Sequence, residues 1–112
     1  MEIYHNPRCT KSRQALQLLQ DKGANFEVRE YLKESLTFDE LSSLIKKLNI
    51  SPEQLLRKNE AIYKENFKGK TLSSDEWIQA MIDYPKLMER PIVVKGNNAV
   101  VGRPTERVLE LF

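Results

Sequence analysis

Along the chain the spacing of apolar positions changes several times, and each change marks an element. "EIYH" is a short run of strand formers that stops at the turn signal "NP". From Lys11 the period becomes helical: Ala15, Leu16, Leu18 and Leu19 form an apolar stripe, and Gly23 is placed to end it. "FEVREYL" returns to alternation, the pattern of a half-buried strand. Three helix starts follow, each a side-chain oxygen answered three residues later by Glu or Gln. They run from Thr37 to Glu40, from Ser51 to Gln54 with Pro52 at the favoured first position, and from Ser73 to Glu76. Residues 37–84 are therefore expected to be a block of three or four helices. "PIVV" and "NAVVG" then flank "KGNN" as a hairpin, and "PTERVLELF" predicts a closing helix begun by Pro104.

The predicted order is β-α-β, a helical insert over about 37–84, then β-β-α. With no repeat, low-complexity segment or long linker, residues 1–112 read as one α/β domain, and the layout matches a thioredoxin-type sheet. Composition changes little: 40% hydrophobic and 30% charged residues describe an ordinary globular chain long enough to bury a core. No run of 18 apolar residues is present, and "MEIYHNPR" lacks the charged and apolar regions of a secretory signal. One cysteine makes no internal disulfide, so a cytoplasmic protein is expected. A net charge of +2 gives no ground for a nucleic-acid partner.

The chemistry is concentrated in "IYHNPRCTKSR", which holds the only cysteine and the only histidine. A helix beginning near Thr10 puts Cys9 at its N-terminus, where free backbone N–H groups and the helix dipole favour a thiolate. Such settings lower a thiol from a pKa of about 8.5 to roughly 3.5–7.5. Arg8, Lys11, Arg13 and His5 add positive charge nearby. The alternative is a small buried filler, but Pro7, Arg8, Thr10 and Lys11 make a polar loop instead of an apolar stripe. His5 either supports the thiolate or bonds backbone at a strand end. Ser12 either gives its hydroxyl to the sulfur or is a simple helix-start residue. "CTKS" is not a C-x-x-C dithiol, so redox turnover requires an external thiol. Arg13 follows Cys9 after three residues, too soon for the loop of cysteine phosphatases, and one Cys with one His builds no usual metal site.

Three arginines stand in distinctive settings: Arg57 in "LLRKN", Arg90 in "ERPIVV" and Arg103 in "VGRPTE". With "YHNPRC…SR" and "YPKLMERPIVV", these motifs closely resemble the glutaredoxin-coupled arsenate reductases, the ArsC family of the thioredoxin-like superfamily. The resemblance covers nearly the whole chain. It implies a thioredoxin-like fold with a helical insertion. It implies Cys9 as the nucleophile, His5 and Ser12 as supports of its thiolate, and Arg57, Arg90 and Arg103 as ligands of the oxyanion. It makes Pro91 the candidate cis-proline facing the cysteine. It further implies arsenate as substrate, glutathione as co-substrate and glutaredoxin as partner. No bound cofactor, no metal, no nucleic acid and no membrane are expected, and a monomer is the default. Relatives often carry glycine directly after the cysteine, where this chain has Thr10. Two other readings share the fold: a glutathione-dependent thiol oxidoreductase of another substrate, and an Spx-type regulator that binds RNA polymerase. The missing second thiol and the complete arginine set favour the enzyme.

Overall fold

The computed structural model describes all residues, 1–112. Two compact units make up the chain: residues 1–34 together with 90–112, and residues 35–89.

The first unit holds β1 (Glu2–Tyr4), α1 (Thr10–Asp21), β2 (Glu27–Arg29), β3 (Ile92–Lys95), β4 (Asn98–Val101) and a closing 3-10 helix, Thr105–Leu111. The strand order is β2-β1-β3-β4, with β1 and β2 parallel and the other pairs antiparallel. This is the α/β, thioredoxin-like arrangement expected, β-α-β followed by β-β and a helix. The register aligns Ile3, Val93 and Val100 across the sheet. These three are buried against Ala15 and Leu19 of α1 and Val108 and Leu111 of the closing helix, which makes the core of this unit. The apolar stripe of α1 therefore faces the sheet, as its 3.6-residue spacing dictates. Gly23, at φ +64, follows the end of α1 in the left-handed conformation that glycine adopts without cost. The β3–β4 turn pairs Lys95 with Asn98 around Gly96 at φ +59, a two-residue connection with glycine at its first position.

The last segment departs from expectation. "TERVLEL" forms a 3-10 helix with Pro104 as its N-cap, where the sequence predicts an α-helix begun by Pro104. Its hydrogen bonds span three residues, Arg107 N–H to Pro104 C=O and Phe112 N–H to Leu109 C=O. Val108 and Leu111, three apart, eclipse one another in that geometry and enter the core together.

The second unit contains α2 (Phe38–Leu48), a 3-10 turn at Pro52–Leu55, α3 (Ala61–Asn66), α4 (Ser74–Asp83) and a 3-10 turn at Pro85–Leu87. Capping boxes start α2 at Thr37 and α4 at Ser73, each with reciprocal bonds to the Glu three residues on. Ser51 and Gln54 also pair, but they open only a 3-10 turn. That segment cannot continue as a helix because Leu56 turns extended to bridge Met88. Glu89 N–H to Leu55 C=O at 2.8 Å and Arg57 N–H to Leu87 C=O at 2.7 Å complete the bridge. No helix of the chain is long and apolar enough to cross a membrane.

Candidate active site

Sheet register decides where the chemistry collects. β1 runs out into residues 5–9, β3 starts just after Arg90–Pro91, and β4 ends just before Gly102–Arg103. Because β3 is antiparallel to both β1 and β4, all three segments emerge at one end of the sheet. His5 extends the β1–β2 ladder by donating its N–H to Arg29 C=O at 2.8 Å, so its ring leaves the strand end in a fixed place.

Cys9 is the N-cap of α1 and is 8% exposed. Its N–H donates to Asn6 C=O and its C=O accepts from Arg13 N–H, each at 3.0 Å. Burial pushes the thiol up. The Ser12 backbone N–H, a hydrogen bond and the charge of Arg90, and the Lys11 N–H act against it and prevail, so the thiol lies below its ordinary value. A terminal nitrogen of Arg103 lies 3.6 Å from Cys9 Sγ, while its Nε donates to Arg90 C=O at 2.7 Å. The two arginines are thus joined to one another and both reach the sulfur.

Ser12 and His5 are brought beside Cys9 in roles that differ from the simplest reading of the sequence. The Ser12 hydroxyl is fully buried and lies 2.6 Å from His5 Nδ1, and it accepts from Asn6 N–H at 3.0 Å. Its hydroxyl bonds go to the loop, and it is the Ser12 backbone N–H that helps to lower the thiol. His5 is lowered from its ordinary pKa, chiefly by burial, with Glu30 opposing and Arg13 adding to the fall. That shift favours the neutral imidazole, whose Nδ1 shares a hydrogen bond with the Ser12 hydroxyl. Arg90 and Arg103 are thus the cations at the sulfur, and the His5 ring is bound to the Ser12 hydroxyl.

Residues 4–111 match the model of the ArsC family. The chain belongs to the ArsC family. An arsenate reductase from Haemophilus influenzae is 42% identical over 112 residues, covering 98% of this chain and 97% of its own. An uncharacterized protein of Escherichia coli, YfgD, is 49% identical over 113 residues, covering 99% and 95%. The solved arsenate reductase from Vibrio cholerae superposes with a TM-score of 0.94 at 43% identity, covering 100% of this chain and 98% of that one.

Within this ArsC chain the Arg90–Pro91 peptide bond is cis, and so is Arg103–Pro104, which the sequence motifs do not single out. The signal is present: both site arginines occur as Arg-Pro dipeptides. Gly102 is a second residue that sequence reasoning misses. Its N–H donates to Pro91 C=O at 2.8 Å, and a Cβ there would lie 3.0 Å from Pro91 Cγ and 3.3 Å from Val108 Cγ2. A side chain there would force the Pro91 ring and Val108 to give way by a few tenths of an ångström, so glycine suits the close approach of the two arginine-bearing segments. Asn6, legible in the sequence only as a turn former, serves the loop three times, adding a bond from Arg8 N–H to its Oδ1. Arg57 belongs to the helical unit, where it follows the Leu56 bridge and its guanidinium pairs with Glu60.

Proposed function

We propose that this protein is an arsenate reductase in which the Cys9 thiolate attacks arsenic. Arsenate near neutral pH is a tetrahedral anion, and guanidinium groups offer it planar, multidentate donors. The observation that carries the reading is the convergence on one sulfur of the α1 N-terminus, Arg90 and Arg103. The Nε of Arg90 is buried and has no partner, a donor available to an oxyanion. The same charges offset the repulsion between a thiolate and an anionic substrate.

In the first step a Cys9 S–As bond forms, and water or hydroxide leaves arsenic. Glutathione thiolate then attacks Cys9 Sγ. The S–As electron pair passes to arsenic, As(V) becomes As(III) and leaves as arsenite, and the two sulfurs are oxidised to a mixed disulfide. A glutaredoxin thiolate removes the glutathione and returns Cys9 to the thiolate. With one cysteine in the chain, no internal thiol can perform the second step. His5 and Ser12 act as supports of the loop, and Arg57 is assigned to the oxyanion from its "LLRKN" motif alone. Arsenate reductases of 39–42% identity support the substrate.

The test is arsenate-dependent NADPH oxidation with glutathione, glutaredoxin and glutathione reductase, for the wild type and Cys9→Ser. Activity that vanishes in Cys9→Ser is the expected result. An inactive wild type whose Cys9 still alkylates as a low-pKa thiol would reassign the site to another substrate of the same thiol chemistry.

A further inference from the structure

Cysteine is a poor helix cap. Cys9 makes no side-chain cap hydrogen bond, and the first turn of α1 carries no acidic residue. The usual fasteners of a helix start, an oxygen at N-cap or a carboxylate in the first turn, are both missing where the nucleophile must be held still. A different fastener holds the loop. Arg13, one turn into α1, folds its guanidinium back over the loop. One terminal nitrogen donates to Pro7 C=O at 3.0 Å and the other to Thr10 Oγ1 at 3.3 Å. Pro7 lies two residues before Cys9 and Thr10 one after it, so a single rigid fork brackets the nucleophile from both sides.

We infer that Arg13 is a positioning residue, bracketing Pro7 and Thr10 so that the loop carrying Cys9 is held in place at the start of α1. The sequence allows Arg13 only as one more nearby charge; the geometry gives it a different task. Two of its donors are bound to the loop. The second arm exists because Thr10 stands directly after the cysteine and supplies a hydroxyl. As part of an arsenate site this rests on the proposed function, but its test does not involve arsenate.

The experiment is the rate of Cys9 alkylation by iodoacetamide from pH 5 to 10, for wild type, Arg13→Lys, Arg13→Met and Thr10→Ala. Lysine keeps the charge but lacks the planar fork, so it separates bracket from charge. Arg8, Lys11, Arg90 and Arg103, the other cations around the thiol, are unchanged in all four proteins. Loss of hydrogen bonds of ordinary strength should make Arg13→Lys and Arg13→Met alike, with alkylation near pH 6 slower by roughly 3- to 10-fold. The plateau rate at high pH, where every thiol is ionised, should be unchanged. Thr10→Ala, losing one arm, should fall between them and the wild type. A wild-type profile in Arg13→Lys would overturn the inference in favour of charge alone. Wild-type profiles in every variant, accompanied only by lower melting temperatures, would reduce Arg13 to a structural residue. If Arg13→Met does not fold, Arg13→Lys and Thr10→Ala still decide between bracket and charge.

Discussion

At the scale of single residues, the loop divides its work between groups that touch the sulfur and groups that hold those in place. Arg90 lowers the Cys9 thiol by both a hydrogen bond and its charge. Arg90→Ala should therefore raise the thiol pKa, seen as an alkylation profile displaced to higher pH; an unmoved profile would remove Arg90 from the thiolate. Ser12→Ala should behave differently. It strips the partner from the buried His5 Nδ1 and the half-buried Asn6 N–H, but leaves the Ser12 backbone N–H, which helps to lower the thiol, untouched. The expected cost is about 1–3 kcal/mol in urea denaturation, with a smaller change in thiol pKa than Arg90→Ala gives. The lowered thiol also predicts how stability depends on pH. The folded state binds the Cys9 proton more weakly than the unfolded state, so the contribution is complete above the ordinary thiol pKa and is lost as pH falls through the lowered one. The stability of the wild type relative to Cys9→Ser should thus rise with pH across that window and then level off. A difference that stays flat from pH 6 to 9 would contradict the assignment.

At the scale of elements, capping chemistry was legible wherever nothing distant competed with it. Thr37 and Ser73 start α2 and α4 with complete capping boxes, and each substitution to Ala should cost about 1 kcal/mol by chemical denaturation. Ser51→Ala should cost less, because its box opens only a four-residue 3-10 turn. The same local signal has a weaker result there because Leu56 is drawn into an extended bridge with Met88, a pairing across more than thirty residues. The closing segment shows the same effect. Pro104 and the apolar spacing of "VLEL" predict an α-helix, yet burying Val108 and Leu111 together, on a spacing of three, selects the tighter winding. Local pattern located both segments; tertiary burial chose their winding.

At the scale of the whole molecule, a net charge of only +2 coexists with a cationic catalytic end of the sheet, since Arg90 and Arg103 are gathered there by register. Attraction of an oxyanion to that end should be screened by salt. Raising ionic strength from about 0.05 to about 0.5 M should increase the KM for arsenate several-fold with little change in kcat. An equal fall in kcat would point instead to a step after binding.

The sequence by itself determined the order and kind of most elements, the helix starts, the lone thiol at the N-terminus of α1 and the identity of the arginines. The elements, helix starts and thiol position follow from spacing and capping chemistry within a few residues, whereas the arginines stand out only through the family resemblance of their motifs. Only the tertiary structure decided that Arg103 reaches Cys9 across 94 residues of chain, and that Gly102 gives the Pro91 segment room to pack against it. It also decided that burial lowers the His5 pKa, that the Ser12 hydroxyl turns to the loop, and that Arg13 folds back over Pro7 and Thr10. The reason is physical. Strand register, burial and the choice of a hydrogen-bond partner depend on groups far apart in sequence, and a local pattern carries no record of which of them will meet.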